Sequence, residues 1–389
     1  MNSRLTRQEL LRRGAAGGAL RAFPSLLAAC GGGGGSETTA GGELKDVLNF
    51  ENWPYYMDTK ETRTAAGLTG PTTLEQFDQE KGIKVKYYEG IDSNDGYFAK
   101  IQGQLSQGQG IGRDIIVATD NSQFPSLYVS EEYVQKLDKS LIPNIDNLID
   151  AQQSPGFDPD REYSLPWLTG IDGIGWNEEL TGGPVTSMTQ LLTDPKLKGK
   201  VTLLGEMADT LGLVLIDNGD DPTDVSDEAF DRAIKSVQDA LDAGQILKFT
   251  GNDYGPPLAR GDFAACVAWS GDLAQLVLEN ENLKWAVPEK GGIIWTDNMF
   301  IPLGGSVPTA STYMNFVYDP KISAQIALGT GYISSVKGVK DEALKLDPKA
   351  GSNELVFPSD ETLANLHMND PKMVSNADFI TTWQSVKGQ

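Results

Sequence analysis

At 389 residues the chain is longer than one hydrophobic core usually organises, which favours two lobes of about 150 residues each and excludes a small module. Its composition, 39% hydrophobic and 22% charged, is that of a soluble globular protein, and past the N-terminal leader no run of about 18 apolar residues spans a bilayer. Fifty-four acidic against 32 basic side chains give a formal net charge of -22, a field that repels polyanions, speaks against nucleic acid as a ligand and permits a cationic one without choosing it.

Residues 1–30 open with Arg4, Arg7, Arg12 and Arg13, continue through Gly/Ala/Leu-rich sequence and finish Ser25-Leu26-Leu27-Ala28-Ala29-Cys30, the order of a secretory signal peptide. Leu27-Ala28-Ala29-Cys30 resembles a bacterial lipobox, which implies acylation of the Cys30 sulfur and a mature chain that begins there. The stretch 31–43, starting with the Gly31 to Gly35 run, reads as a flexible tether. The Arg12-Arg13 pair looks like a twin-arginine export signal, but Arg21 interrupts the apolar region, so the export route stays open.

Along the mature chain, short apolar runs alternate with amphipathic stretches. Val47 to Phe50 reads as a strand, Thr73 to Glu80 as a helix, Ile83 to Tyr88 as a strand, Gly96 to Ser106 as a helix and Asp114 to Val117 as a strand. After Trp167 the alternation recurs, with strands at Gly173–Trp176, Lys200–Leu204 and Ala264–Trp269 and a long helix at Ser226–Ala243. Two α/β lobes follow from this order, with no short-period repeat. Of the two cysteines, Cys30 lies in the leader, so Cys266 has no disulfide partner in the mature domain and reads as a small core residue. The single histidine, His367, rules out a multi-histidine metal centre, and no serine sits in a nucleophile-elbow pattern. No cofactor is called for.

In open α/β sheets, ligands gather beyond the carboxyl ends of strands. Trp53 follows the first strand, Thr119 and Asn121 follow Val117, Glu206 follows Leu204, Trp269 ends its run, and Trp295 follows Gly291 to Ile294. Glu206 and Asp209 stand three apart where a helix starts, so both project from its first turn, and the positive end of the helix favours their ionised forms. As ordinary capping acids they would instead bond their own helix. Trp295 and Asp297 are alternate residues of a strand-like Trp-Thr-Asp and share a face, while Trp53 to Tyr56 lies in a polar turn that favours exposure over burial. Trp167, Trp176, Trp285 and Trp383 are assigned mainly to packing. Carboxylates spaced between flat indoles suit an aliphatic chain carrying ammonium groups. The same pieces also describe a glycosidase cleft. A binding fold for an amino acid derivative, a quaternary amine or a metal chelate is a further alternative, whereas an anionic ligand would want arginines that the cleft segments lack.

The order of segments resembles the spermidine/putrescine-binding proteins of ABC transporters over nearly the whole mature chain. The resemblance is carried by Leu48-Asn49-Phe50-Glu51-Asn52-Trp53-Pro54-Tyr55-Tyr56, by Ser93-Asn94-Asp95, by Pro166 to Asn177, by Gly331-Tyr332, and most specifically by Pro288-Glu289-Lys290-Gly291-Gly292-Ile293-Ile294-Trp295-Thr296-Asp297. It implies a two-lobed periplasmic-binding-protein-like α/β fold of type II, with lobe 1 formed by 44–168 and 297–340 and lobe 2 by 169–296 and 341–389. Crossing segments near Trp167 to Gly170 and near Thr296 would act as the hinge. It also implies a non-enzymatic, extracytoplasmic, lipid-anchored monomer that captures a polyamine and hands it to permease subunits driven by a separate ATPase, since this chain has no P-loop lysine motif. The implied site pairs Trp53 with Tyr56, takes acids from Glu206 and Asp209, an indole from Trp269, the Trp295–Asp297 couple and a wall from Tyr332, and ends at Asn369. Two departures bear on which polyamine is preferred. Glu206 then Asp209 replaces the usual aspartate then glutamate, moving each carboxylate by about 1.5 Å. Thr119 and Asn121 stand where serine and tyrosine are usual.

Overall fold

The computed structural model describes residues 43–388, so the expected leader, Cys30 and nearly all of the tether lie outside the described residues. The chain enters through β1 (Val47–Asn52) and β2 (Lys84–Glu89), a parallel pair joined across the helix Thr73–Lys81. That helix starts where the Thr72 hydroxyl accepts from Glu75 N (3.2 Å) while the Glu75 carboxylate accepts from Thr72 N (2.9 Å), and it stops at Gly82 with φ 68°, a left-handed turn that glycine adopts at little cost. The helix Asn94–Leu105 leads to β3 (Ile116–Thr119). The strand begins two residues later than the apolar run suggested because the buried Asp114 carboxylate accepts from the backbone of Asn49 (2.8 Å) and Ser306 (2.8 Å) and from Lys45 (3.0 Å), holding together three separate segments.

The remaining strands are β4 (Val134–Gln135), β5 (Ser164–Asn177), β6 (Val201–Leu204), β7 (Ile246–Thr250), β8 (Ala265–Trp269), β9 (Leu283–Ala286), β10 (Gly292–Pro302), β11 (Ile333–Ser334) and β12 (Leu366–His367). They build one sheet in the order β12-β10-β5-β8-β6-β7, with β3 and β4 added on β10 and β9 and β11 on β5. The first part of β5 and the last part of β10 pair with each other beside β3, β4 and β11, whereas the rest of β5 pairs with β8 and β9 and the start of β10 with β12. These two strands therefore run from one lobe, carrying β1 to β4, into the other, carrying β6 to β8. This is the two-lobed type II arrangement.

The sequence reading placed short strands where the structure has the 14-residue β5 and the 11-residue β10. Glycines hid the continuity: Gly170 and Gly173 interrupt the apolar pattern because the rings of Trp295 and Trp285 lie against them. Where the two strands pass between lobes, the Thr169 and Thr296 hydroxyls meet at 2.9 Å and Gln152 Nε2 donates to both at 2.9 Å. A register shift between Thr296 and Asn298 bends β10 at that level, and the Asp120 carboxylate accepts from Thr296 N at 2.8 Å.

Behind β6, every residue of the helix Met207–Asn218 from Met207 to Asp217 is buried, so its first turn is a rigid platform. Trp167, Trp176 and Trp383 are buried and Trp285 is half-buried. Cys266 is a buried free thiol whose ionisation burial opposes.

Candidate functional site

Between the lobes lies a narrow cavity, and its walls come from both. Ten of the eleven residues expected at the site line it: Trp53, Tyr56, Thr119, Asn121, Glu206, Asp209, Trp269, Trp295, Asp297 and Tyr332. Asn369 does not. It stands behind the wall, where its Nδ2 donates to Asn121 Oδ1 (2.9 Å) and to Ala208 O (3.0 Å), so it supports Asn121. Pro54, Asn94 and Asn252 complete the lining, and among the described residues no arginine or lysine is part of it.

The apolar walls form a chain of rings. Trp53 meets Trp269 edge-on at 5.8 Å, Trp269 meets Trp295 at 6.2 Å, Trp295 leans on Tyr332 at 6.1 Å and Tyr332 meets Tyr56 edge-on at 4.5 Å. Trp53 and Tyr56, expected to be exposed at the surface or in the cleft, do line the cleft but are only 5% and 2% exposed, because the polar turn that carries them closes against the opposite lobe. There Gln275 Nε2 donates to Tyr55 O at 2.7 Å. Trp295 was expected just past a strand end and instead stands, with Asp297, inside β10 at the level of the register shift. Trp295 is fixed by its Nε1 donating to Asp172 Oδ1 (2.7 Å) and by its ring packing closely against Gly170. A Cβ at position 170 would overlap that ring. Gly170→Ala is expected to lower stability by about 1–3 kcal/mol and to displace the indole, read by chemical denaturation and by a shift in tryptophan emission; a variant with wild-type stability and emission would contradict this packing.

The carboxylates face inward from opposite sides. Asp209 Oδ2 accepts from Trp269 Nε1 (2.9 Å) and its Oδ1 from Asn121 Nδ2 (2.7 Å), the latter reaching across from the other lobe. Glu206, half-buried at the rim, accepts from the backbone N–H of Asn94 (2.8 Å) at the start of the facing helix Asn94–Leu105. Neither acid caps its own helix. Asp297 Oδ1 accepts from the Thr119 hydroxyl (2.7 Å), whose oxygen is in turn held by Asn94 Nδ2 (3.1 Å).

The sequence expectation that the helix start would favour ionised carboxylates is reversed. Burial, with Asp209 and Asp95 adding like charge, pushes Glu206 up to about 8. Burial outweighs the hydrogen bonds from Trp269 and Asn121 and leaves Asp209 at about 7, and it outweighs the Thr119 bond to leave Asp297 at about 7. The partial charge of a helix end is worth about 0.3–2 kcal/mol, less than the desolvation of a carboxylate enclosed with others of its kind. Lys387, behind Gly205, is the cation that pulls Glu206 down, and it lies outside the lining.

Two further acids stand one layer back. Asp172, in the middle of β5, is fully buried with Oδ2 unpartnered, and burial followed by Asp209 raises its pKa well above the ordinary range. Asp272 accepts from Tyr332 OH (2.7 Å), Tyr254 OH (2.8 Å) and Asn252 Nδ2 (2.9 Å), and burial still pushes it to about 7. Asn252 and Asp272 follow the ends of β7 and β8, so the strand-end argument extended to every strand would have found them. Asp172 carries no such signal. A concave surface of aromatic faces and buried carboxylates, in which Trp53 Nε1 is an unpartnered donor and Asn252 Oδ1 an unpartnered acceptor, suits cations whose charges are separated by apolar links.

Comparison with known proteins gives the same direction. The sequence pattern of the bacterial extracellular solute-binding protein family matches residues 72–352. The chain is 24% identical over 348 residues to the spermidine/putrescine-binding periplasmic protein of Escherichia coli K12, covering 88% of this chain and 92% of that one. It is 27% identical over 370 residues to the putrescine-binding periplasmic protein SpuD of Pseudomonas aeruginosa, again covering 88% and 92%. Among solved structures, the spermidine/putrescine ABC transporter substrate-binding protein PotD of Streptococcus pneumoniae superposes with a TM-score of 0.66 at 24% identity, covering 88% of this chain and 99% of that one.

Proposed function

Because the chain belongs to the bacterial extracellular solute-binding protein family, whose role is binding and not catalysis, we propose that it captures a polyamine such as putrescine or spermidine outside the cytoplasm and delivers it to an ABC importer. The observation that carries this reading is the cavity itself: Glu206, Asp209 and Asp297 set between the rings of Trp53, Trp269, Trp295 and Tyr332, with no cationic side chain among the described residues of the lining. Each charge-assisted hydrogen bond contributes roughly 1.5–3 kcal/mol and each cation over an indole face about 0.5–2 kcal/mol. Three acids and two or three rings together reach micromolar binding, about -8 kcal/mol, after ordering and closure costs. Tyr56, Thr119 and Asn121 complete the contact wall, and Asn369 acts through Asn121.

Closure would turn at Thr169 and Thr296, with lobes bounded as 44–168 with 297–340 and 169–296 with 341–389. The contacts that span the cleft, Asn94 to Glu206 and Asn121 to Asp209, would then form only when the lobes meet. We place the protein on the membrane surface as a monomer held by acylated Cys30, and its partner would be a permease with a separate ATPase. Intact-mass analysis of the membrane fraction tests the anchor: a diacylglyceryl adduct on Cys30 is expected, and an unmodified chain still carrying residues 1–29 would refute it.

Thermal melting of the ligand-stripped protein against diamines, triamines, neutral sugars and amino acids tests the ligand class. Polyamines are expected to raise the midpoint by several degrees at a hundred times their Kd, a gain of about 2.7 kcal/mol, with sugars silent. A shift with sugars alone would sink the polyamine reading.

A further inference from the structure

We infer that Asn252 selects ligands whose ammonium groups carry N–H bonds, by presenting a fixed side-chain oxygen in the cavity wall that a fully methylated ammonium cannot satisfy. This rests on the polyamine reading and narrows it. Asn252 follows β7 and is 5% exposed, yet it lines the cavity, and its Oδ1 is buried with no hydrogen-bond partner while its Nδ2 donates to Asp272 Oδ2 at 2.9 Å.

Which way the amide points is settled by its neighbours. The Tyr254 hydroxyl already accepts from Trp269 N (3.0 Å), so its own proton is directed at Asp272 Oδ2 (2.8 Å). Tyr332 OH donates to Asp272 Oδ1 at 2.7 Å. When ionised, as it mostly is above about pH 7, Asp272 is an acceptor on both oxygens, and turning the amide of Asn252 over would then set its oxygen against one of them. The amide nitrogen is held on Asp272, and the oxygen of this cavity-wall residue is left as a buried acceptor without a partner, one that gains only from a donor.

The rings do not make this distinction. Indole faces attract a methylated and an unmethylated cation alike. Carboxylates attract both through charge. A neutral acceptor locked in place discriminates on N–H bonds, in the way that sites built to hydrogen-bond a substrate reject the analogue lacking the group. Asp272 acts through Asn252 and the two tyrosines as a positioning residue.

The test is calorimetry on the ligand-stripped full chain with two probes, putrescine and its analogue trimethylated at both nitrogens, butane-1,4-bis(trimethylammonium), comparing wild type with Asn252→Leu. Putrescine is expected to bind the variant about tenfold or more weakly, while the trimethylated probe changes by less than about threefold or is bound by neither protein. Unchanged putrescine affinity, or an equal loss for both probes, would overturn the role of Asn252. Absence of putrescine binding to the wild type would instead remove the polyamine reading on which it rests. Should the leucine variant melt well below wild type, Asn252→Ala, which removes the amide without added bulk, gives the same comparison.

Discussion

Asp297→Asn is expected to weaken binding of putrescine or spermidine by about 1.5–3 kcal/mol, roughly ten- to a hundredfold, while making the ligand-free protein more resistant to heat at pH 8. The two signs come from one cause. Asp297 is 2% exposed, held by Thr119 and facing Glu206 and Asp209 across the cavity. Its ionised form is costly in that enclosure, which is why its pKa stands at about 7. An acid whose pKa rises on folding penalises the folded state from the unfolded value of about 4 upward, in full above about 7, so removing the charge relieves the fold most at alkaline pH. The ligand reverses this balance, because a cation offsets the charge that the fold tolerates poorly. Asparagine keeps the acceptor for Thr119 but offers the ligand an amide donor in place of an anionic oxygen. Calorimetry and thermal melting on the same preparation check both halves; weaker binding together with lower stability at pH 8 would mean that Asp297 is a structural acid.

Affinity for a diamine is expected to rise a hundredfold or more between pH 6 and pH 8, with the contribution of Glu206 continuing to about pH 9. Asp209 and Asp297, the more deeply buried pair, both titrate at about 7. One pH unit below its pKa each is about nine-tenths protonated, and a dication must displace those protons before it pairs. Two sites each costing about tenfold multiply to the stated change, and Glu206, shifted to about 8, acts in the same direction. The ligand amines, with pKa values near those of lysine, stay charged through this range. Calorimetry in buffers of different ionisation enthalpy reads the released protons directly. A flat profile with no proton release would show the carboxylates to be hydrated and ionised before the ligand arrives.

Much of this site was legible because each lobe announces its side of the cleft locally. Glu206 after β6 and Trp269 at the end of β8 stand where a parallel strand delivers its next residue, and that rule needs only the apolar run before them. Trp295 and Asp297 were found by their alternation, but Trp295 was assigned to the wrong part of its strand. β10 continues through Met299 to Pro302 into the other lobe, which a local window cannot show. What stayed hidden belongs to the space between lobes. The burial of Trp53 and Tyr56, the bond from Asn94 to Glu206 and the acceptor on Asn252 exist only when distant segments meet. The charge state failed for a related reason: a helix start is visible in sequence, whereas the desolvation that overrides it depends on enclosure by Asp172, Asp209 and Asp297 together. Asn369 shows the limit of carrying a role over by resemblance, since it sits behind Asn121.

The central claim, that this cavity holds a polyamine, is tested most directly by titrating putrescine and spermidine into the protein after unfolding, removal of bound ligand and refolding, at pH 8 and moderate salt. One site with micromolar or tighter affinity for at least one of the two is the predicted result, and absence of binding for both up to millimolar concentration would contradict it.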